Sequence, residues 1–267
     1  MNIVTVVQAR TSSTRLPNKV LFPICGEPLL IRMIERISRS EFSGTVVVAT
    51  SSEPEDNVIA SLCRANGIEC FRGSLNDLLD RHYQVALKHA ASAVVKIPSD
   101  CPLIDPFIID QVISCFIDNY PQYDFVSNLH PATFPDGNDV EIMTFQTLEK
   151  AWNEATRQLE REHTTPYIWE NPEKFRIGNV AWETGLDYSA THRWTIDYEE
   201  DYQFISKVYD NLYFKKPGFG LYDILDLIEK QPELRTINRV YLGNYWYLNH
   251  LGELKNIEDY KNKMKVE

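Results

Sequence analysis

The sequence predicts an α/β fold in which a mostly parallel sheet is covered by helices on both faces. Short β-branched, apolar segments alternate with longer helical segments through the first half of the chain, a rhythm typical of parallel sheets. The length of 267 residues and a hydrophobic content of 43% suit one sizeable core with a smaller appendage better than two equal domains.

The regular alternation extends from the first residues to about residue 119. Four apolar runs predict strands, at residues 3–7, 45–50, 68–71 and 93–97. Four segments with helical spacing predict helices, at residues 28–40, 54–66, 75–91 and 106–119. Pro28 and Pro106 fall in first helical turns, where proline is tolerated. Ligands of such sheets gather at the carboxyl ends of the strands, so we expect a site in the loops after Val7 and Ile97.

The pattern changes after residue 130. Pro131, Pro135 and Gly137 interrupt the chain before an alternating strand at 139–143. Helices are then predicted at 145–158 and 161–169, and strands that could run antiparallel to the main sheet at 175–182 and 191–196. We interpret residues 130–190 as a small inserted lobe of a main domain spanning 1–245, followed by a C-terminal helical tail at 246–267.

Composition excludes several classes of protein. The net charge of -11 argues against general binding to nucleic acid or to an anionic membrane, because both select basic surfaces. Five cysteines without a C-x-x-C spacing predict reduced thiols, and no apolar stretch approaches the length of a membrane span. We therefore expect a soluble, cytoplasmic protein.

A basic loop follows the first predicted strand. The first 26 residues contain no Asp or Glu, yet Arg10, Arg15 and Lys19 lie there together. Small hydroxylated residues between them let the backbone turn tightly and leave its N–H groups free for an anion, while the three cations can clamp phosphate oxygens. The loop has neither a Walker sequence nor a dinucleotide fingerprint. The alternative is a solvated basic loop that pairs with acidic neighbours.

Two aspartates follow predicted strands directly. Asp100 lies after the strand at 93–97, in a turn stiffened by prolines, and Asp197 follows the strand end Trp194-Thr195-Ile196, just before a predicted helix. A magnesium ion on a nucleotide usually takes one or two carboxylates, which this pair could supply. The alternatives are an Asx-turn for Asp100 and an N-cap of the following helix for Asp197.

Six motifs occur in order across about residues 1–240. They are the loop 9–19 ending in Arg-Leu-Pro-x-Lys, FRGSLNDLLDR at 71–81, PSDCPLI at 98–104, DGNDVE at 136–141, REHTTPY at 161–167 and RWTID at 193–197. In this order they resemble the cytidylyltransferases that activate sugar acids. That group includes the CMP-sialate and CMP-Kdo synthetases and the SpsF-like proteins of spore coat polysaccharide biosynthesis.

The resemblance implies a Rossmann-like nucleotidyltransferase (GT-A-like) sheet and Mg²⁺-dependent transfer of CMP from CTP to a sugar acid of the nonulosonic or 3-deoxy type. Pyrophosphate would be released, and the product would serve surface polysaccharide synthesis. It implies catalytic roles on the phosphates for Arg10, Arg15 and Lys19, and metal binding by Asp100 and Asp197. The residues implied in nucleotide binding are Ala9, Arg10, Ser12, Arg72, Ser74, Asp77 and Ser99. Arg72 and Arg81 could equally form salt bridges with Asp77 and Asp80.

The acceptor side is expected in the inserted lobe. The candidate residues are Glu141, Arg161, His163 and Arg193. A lone histidine is more often structural, and Arg193 could pair with Glu183 instead of a substrate carboxylate. The sialate and Kdo enzymes carry different residues in this lobe, so the acceptor is not identified.

The sequence leaves two other functions and a homodimer as alternatives to consider. A glycosyltransferase that uses a nucleotide sugar would be expected to carry a D-x-D metal motif, whereas the sequence here is Ser99-Asp100-Cys101. A non-catalytic nucleotide-binding subunit would not need both metal carboxylates. Aromatic residues in the lobe could bury a patch against a second subunit and form a homodimer, namely Trp152, Tyr167 and Trp169.

Overall fold

The computed structural model describes residues 1–243, 250 and 252–255. The strands are β1 Ile3–Gln8, β2 Pro23–Ile24, β3 Glu27–Pro28, β4 Thr45–Ser51, β5 Glu69–Gly73, β6 Ala93–Pro98, β7 Phe125–Ser127, β8 Glu141–Thr144 and β9 Ile177–Asn179. The helices are α1 Leu29–Ile37, α2 Asn57–Ala65, α3 Leu78–Lys88, α4 Pro106–Asp118, α5 Phe145–Glu154, α6 Gln158–His163, α7 Pro166–Trp169, α8 Glu199–Leu212 and α9 Leu221–Lys230. No helix in this part of the chain is long and apolar enough to cross a membrane.

Seven strands form one sheet in the order β5-β4-β1-β6-β8-β7-β9. Strand β1 pairs in parallel with β4 and β6, and β4 with β5. Strand β8 is antiparallel to both β6 and β7, and β9 is parallel to β7. Strands β2 and β3 form a separate short hairpin. The predicted mostly parallel sheet is therefore confirmed, with β8 reversed, whereas β9, in the segment 175–182 that could have run antiparallel, is parallel to the main sheet.

Helices cover both faces of the sheet. Neighbouring residues of a strand point to opposite faces, so Val7 of β1 packs in one core cluster and Val6 in another. The first cluster takes apolar residues from α1, α2, α4, α8 and α9, and the second from α3, α5 and α7. This arrangement confirms the predicted fold class.

Residues 130–190 supply β8 and β9 to the main sheet. The predicted helix at 161–169 is instead two short helices, because Thr164 between them has a positive φ of 72° and Pro166 begins a new helix. The aromatic residues proposed for a dimer contact pack within the chain. Tyr167 is 5% exposed and the ring of Trp152 stacks on Tyr83 at 4.2 Å. The homodimer stays a prediction.

Two further differences concern the predicted strands. Residues 191–196 do not form a strand, and Arg193 makes an isolated bridge to Asp136 instead. The strand β7 was not predicted, because three residues are too short to show a pattern. Most of the predicted tail at 246–267 lies outside the described residues.

Candidate active site

A cavity of about 510 Å³ opens where β1 and β6 end. Its wall includes residues from the basic loop, from the turn after β6, from the segment before β8, from α6 and α7, and from the segment before α8. The cavity therefore lies at the carboxyl edge of the parallel strands, where the sequence predicted a site.

The basic loop is fixed by a carboxylate from a different segment. Asp56, which is 1% exposed, accepts hydrogen bonds from the backbone N–H and the hydroxyl of Thr11, both at 2.8 Å, and from the Ser51 hydroxyl. Burial would raise the pKa of Asp56, but these hydrogen bonds outweigh burial and hold the pKa below its usual value. Asn18, at φ 62°, donates its N–H to the Thr11 carbonyl at 2.8 Å and closes the loop. The sequence analysis missed Asp56, although it follows the carboxyl end of β4.

Lys19 joins the two aspartates predicted to bind metal. Its ammonium nitrogen lies 3.0 Å from Asp197 Oδ1, 3.4 Å from Asp100 Oδ2 and 2.6 Å from the Ile196 carbonyl oxygen. Arg15 approaches the other oxygen of Asp197 at 2.8 Å. Two segments far from Lys19 in the chain, at Asp100 and at residues 196–197, therefore converge on its ammonium group.

The pKa values of this cluster favour its charged forms. Burial alone would lower the pKa of Lys19, but Asp100 and Asp197 outweigh it and the pKa is raised. Burial would raise the pKa of Asp197, but Lys19 and Arg15 hold it below its usual value. Asp197 does not cap α8, because Tyr198 is the N-cap residue and the carboxylate of Asp197 contacts Lys19, Arg15 and Arg193. The N-cap alternative for Asp197 is therefore wrong.

Other groups of the basic loop remain available. Arg10 lines the cavity, is exposed and forms no ion pair with any residue of the described ranges. Within those ranges the N–H groups of Ser12, Thr14 and Arg15 also lack a hydrogen-bond acceptor. The loop thus keeps one guanidinium and several backbone donors for an anion, while Arg15 and Lys19 are positioned by carboxylates.

Two more carboxylates, Asp136 and Asp139, line the same cavity. Burial, followed by repulsion from Asp100, raises the pKa of Asp139 to about 7. Burial and Asp139 raise the pKa of Asp136 well above its usual value, although Arg193 opposes them. Crowded acidic groups make this side of the cavity a favourable place for a cation.

Arg193 lines the cavity and is paired within the chain. Its guanidinium contacts Asp201 at 2.9 Å, Asp136 at 3.2 Å and Asp197 at 3.3 Å. The alternative pairing with Glu183 is wrong, because the carboxylate of Glu183 contacts Gln111 and Tyr222. Arg193 holds the segment before α8 beside the cluster.

The predicted acceptor residues Glu141 and His163 also line the cavity. Glu141, on β8, is 2% exposed and forms an ion pair with Lys96 on the neighbouring strand β6. Burial, helped by His250, lowers the pKa of His163 to about 3, so its ring is neutral near pH 7. A neutral imidazole and a paired carboxylate can both hydrogen-bond to hydroxyl groups.

Ala9 and Ser99 line the cavity, whereas five other predicted residues do not: Ser12, Arg72, Ser74, Asp77 and Arg161. Arg72 donates to the carbonyls of Ser51 and Glu53, both at 2.9 Å, and to the Asn57 side chain at 2.6 Å. For the predicted nucleotide-binding residues among these five, contact with a nucleotide stays a prediction.

Asp77 and Arg161 contact each other. Arg161 donates twice to Asp77 Oδ2, at 2.9 and 2.5 Å, while Asp77 Oδ1 caps α3 by accepting the Asp80 N–H. Asp80 itself accepts from Trp152 and Gln84. The suggested pairing of Arg72 and Arg81 with Asp77 and Asp80 is therefore wrong.

The donor set can be tested against a magnesium ion. Among the described residues, no group of three or more His, Cys, Asp or Glu side chains could hold a metal. Asp100 and Asp197 nevertheless converge on one cation, the Lys19 ammonium, so the space between them suits a small positive ion. Two carboxylates fit Mg²⁺ when phosphate oxygens and waters complete its octahedron.

Comparisons with known proteins agree with this geometry. The sequence profile of the family described as cytidylyltransferase matches residues 4–224. A solved cytidylyltransferase from Leptospira borgpetersenii is 36% identical, with a TM-score of 0.82 over 88% of this chain and 96% of that chain. The spore coat polysaccharide biosynthesis protein SpsF of Bacillus subtilis is 29% identical over 88% of this chain and 97% of its own length.

Another relative matches about half of this chain. The 3-deoxy-manno-octulosonate cytidylyltransferase of Geobacter sulfurreducens is 36% identical over 121 residues, which are 45% of this chain and 47% of that protein. Together with the profile match over most of the sequence, these similarities show that the chain belongs to the cytidylyltransferase family of nucleotidyltransferase enzymes.

Proposed function

We propose that this protein transfers CMP from CTP to a hydroxyl group of a sugar acid or a related acceptor and releases pyrophosphate with the help of Mg²⁺. The observation that carries the proposal is the convergence of Lys19, Asp100 and Asp197, with Arg15 beside them, at the carboxyl edge of the sheet. The cations suit a triphosphate, and the carboxylates suit its counterion.

The reaction needs positioning and charge stabilisation more than covalent help from the protein. The acceptor oxygen forms a bond to the α-phosphorus as the bond from that phosphorus to the β-phosphate oxygen breaks, and the acceptor hydroxyl loses its proton. We assign Arg15 and Lys19 to the leaving β- and γ-phosphates, where negative charge grows. Arg10, which has no ion-pair partner among the described residues, is assigned to the same cluster or to the α-phosphate.

Asp100 and Asp197 would hold the magnesium ion. When bound, the ion would neutralise phosphate charge and favour ionisation of the acceptor hydroxyl. Lys19 is held by the same two carboxylates, so its ammonium group stays beside the position assigned to the phosphates. Arg193 keeps Asp197 in place through its contact at 3.3 Å.

The acceptor is assigned to the part of the cavity between β8 and α6. His163 and Glu141 lie there with Lys96, whose charge is paired with Glu141, and this combination suits the hydroxyl groups of a sugar. The name of the Geobacter sulfurreducens relative refers to a 3-deoxy sugar acid, and that of the Bacillus subtilis relative to a surface polysaccharide. The first name supports a sugar-acid acceptor, and the second supports a role in polysaccharide synthesis.

A pyrophosphate-release assay with CTP, Mg²⁺ and a panel of nonulosonic and 3-deoxy sugar acids tests the proposal. We expect one acceptor to trigger release, and ³¹P NMR to show a CMP phosphodiester as product. Lys19→Met should lower turnover by about 100-fold or more, because a charge that stabilises the leaving group is lost. His163→Ala should raise the acceptor KM about 3- to 10-fold, as expected for one hydrogen bond, while CTP affinity holds.

Two outcomes would contradict the proposal. If the protein consumes a nucleotide sugar and no acceptor releases pyrophosphate from CTP, it is a glycosyltransferase. If it binds CTP tightly but turns over with no acceptor in the panel, and Lys19→Met changes only binding, a nucleotide-binding subunit explains the data better.

A further inference from the structure

Two polar groups in the cavity wall lack a hydrogen-bond partner. The side-chain oxygen of Gln8 and the Nε–H of Arg81 are both buried and unpaired within the described ranges. Both residues line the cavity. Unpaired buried polar atoms are costly, so two of them in one cavity wall call for a partner such as a bound ligand.

The two groups are neighbours at the strand ends. Gln8, the last residue of β1, lies opposite Ala49 in the pairing with β4, and the Ala49 carbonyl accepts a hydrogen bond from Arg81 NH1 at 3.0 Å. Gln8 shares the sheet face of Val6, on which α3 packs, and Arg81 belongs to α3. The amide and the guanidinium are thus held on one side of the sheet edge.

Arg81 is built into this position. The side chain is 1% exposed, and a Cβ atom at Gly73 would come within 2.8 Å of its Cγ, so the glycine leaves the room that the arginine occupies. Its guanidinium has no carboxylate within ion-pair distance among the described residues. Burial, followed by repulsion from Arg10, lowers the pKa of Arg81 to about 10, so it remains charged near pH 7. A buried cation of this kind is destabilising unless a ligand compensates it.

We propose that Arg81 and Gln8 read the pyrimidine base of the nucleotide. The inference rests on the proposed use of CTP. The guanidinium donates to the O2 and N3 acceptors of cytosine, and the Gln8 oxygen accepts from the exocyclic amine. Uracil carries an N–H at position 3, which would face the donors of Arg81. The Gln8 amide can rotate to suit either base, so the discrimination against uracil rests on Arg81.

The structure favours Arg81 over Arg72, which the sequence motif suggested for this role. Three donors of Arg72 are already taken by Ser51, Glu53 and Asn57, and its side chain does not line the cavity. Arg81 donates one hydrogen bond to a backbone carbonyl, and its Nε–H is unpaired within the described ranges. The two arginines therefore make opposite predictions for base selectivity.

Calorimetric titration with CTP and UTP in the presence of Mg²⁺ tests the inference. Wild-type protein should bind CTP at least about 10-fold more tightly than UTP. Arg81→Gln should weaken CTP binding by about 10- to 100-fold and bring the CTP/UTP ratio close to one, as expected for lost charge-assisted hydrogen bonds. Gln8→Leu should weaken binding of both nucleotides, but its preference for CTP over UTP should remain larger than that of Arg81→Gln.

Arg36→Gln is the matched control. Arg36 is another buried arginine, 3% exposed, whose guanidinium donates to the carbonyls of Ile104 and Leu103, outside the cavity. It reports the cost of removing a buried guanidinium bound to the backbone, and it should leave the CTP/UTP ratio unchanged. If Arg81→Gln does not fold, Arg81→Lys and the ¹⁵Nε–¹H NMR signal of Arg81 in wild-type protein, which should shift on addition of CTP, replace it.

The outcomes separate the inference from the proposed function. Failure of wild-type protein to bind any cytidine nucleotide would overturn the proposed function itself. Two results would overturn only the inference. One is tight CTP binding with an unchanged CTP/UTP affinity ratio in folded Arg81 variants. The other is an Arg81 ¹⁵Nε–¹H NMR signal that does not shift at saturating CTP. Loss of the preference in Arg72→Gln but not in Arg81→Gln would also overturn it.

Discussion

At the residue scale, the charged side chains of the site are positioned by partners drawn from distant segments. Lys19 is held by two carboxylates and a backbone carbonyl, and the basic loop is tied down by the buried Asp56. Such buried groups are tolerated because Lys19 is paired with carboxylates and Asp56 accepts hydrogen bonds. Their geometry is set before a substrate arrives, which lowers the cost of organising the transition state.

His82 provides a test of how buried neutral groups set the acid stability. Its Nδ1 lies 2.8 Å from the Leu78 carbonyl, and its Nε2 has no partner within the described ranges. Burial lowers the pKa of His82 to about 3, below the value of an unfolded histidine. The unfolded chain therefore binds this proton between about pH 6.5 and pH 3 while the folded chain does not. Stability is present above pH 6.5 and is lost as the pH falls.

We expect His82→Leu to reduce by one the number of protons that the chain takes up on unfolding in acid. Urea unfolding at pH 7, 6, 5 and 4.5 should show a wild-type stability that falls more steeply on acidification than that of the variant, by about 1.4 kcal/mol per pH unit below pH 6. His163 and His192, whose pKa values are lowered to about 3 and about 4, keep part of the slope in both proteins. Parallel pH profiles would refute the assignment.

Some residues of the site were predictable from the sequence and others were not. Lys19 and Asp100 were predictable because they lie after β1 and β6, at the edge where ligands gather, whereas Asp197 was assigned from a strand at 191–196 that does not form. Asp56 and Arg81 were not assigned to the site, because their roles depend on side-chain directions that tertiary packing fixes. Sequence spacing does not report such directions.

At the element scale, the predicted strands at 3–7, 45–50 and 93–97 were reliable because they are rich in β-branched residues and mostly buried, whereas the edge strand β5 is only half-buried. The predicted strand at 191–196 was wrong for a physical reason. Trp194 and Ile196 are buried in the first core cluster from an irregular segment, so the apolar pattern reports burial rather than a strand. The helix α3 begins at Leu78, three residues later than the predicted start at residue 75. The delay arises because the side chain of Asp77 caps the helix.

The ion pair of Asp77 and Arg161 links α3 to α6 and can be measured. Side-chain exposures of 27% and 23% place the pair partly out of solvent. We expect Asp77→Ala to lower the free energy of unfolding by about 1–2 kcal/mol, because the cap and the ion pair are both lost. Asp77→Asn keeps a capping oxygen and should cost less.

A double-mutant cycle with Arg161→Ala isolates the pair. Chemical denaturation of the wild type, the two single variants and the double variant should give a coupling energy of about 0.5–1 kcal/mol. Strictly additive effects would show that the two side chains stabilise the protein independently, and a large loss of CTP affinity in Asp77→Asn would favour the nucleotide contact that the sequence motif suggested.

At the scale of the whole molecule, one sheet edge collects the parts of the site. The basic loop follows β1, Asp100 follows β6, Asp197 precedes α8, and Glu141 begins β8. The chain is acidic overall, with a net charge of -11, so the cations of the loop make the nucleotide side of the cavity stand out. The order of strands predicted this edge, whereas the identity of the acceptor depends on the irregular segments of residues 130–190, which no periodicity describes.

The most direct measurement is the rate of pyrophosphate release from CTP as a function of Mg²⁺ concentration in wild type, Asp100→Asn and Asp197→Asn. Asp110→Asn is the control, because Asp110 binds Ser40 and the N–H of Phe42 outside the cavity. We predict Mg²⁺-dependent release in wild type and control, and a loss of about 100-fold or more in each of the other variants, since removal of one carboxylate charge weakens the metal–nucleotide complex. Wild-type rates at low Mg²⁺ in either Asp100→Asn or Asp197→Asn would contradict the assignment of the cluster to CTP and its metal ion.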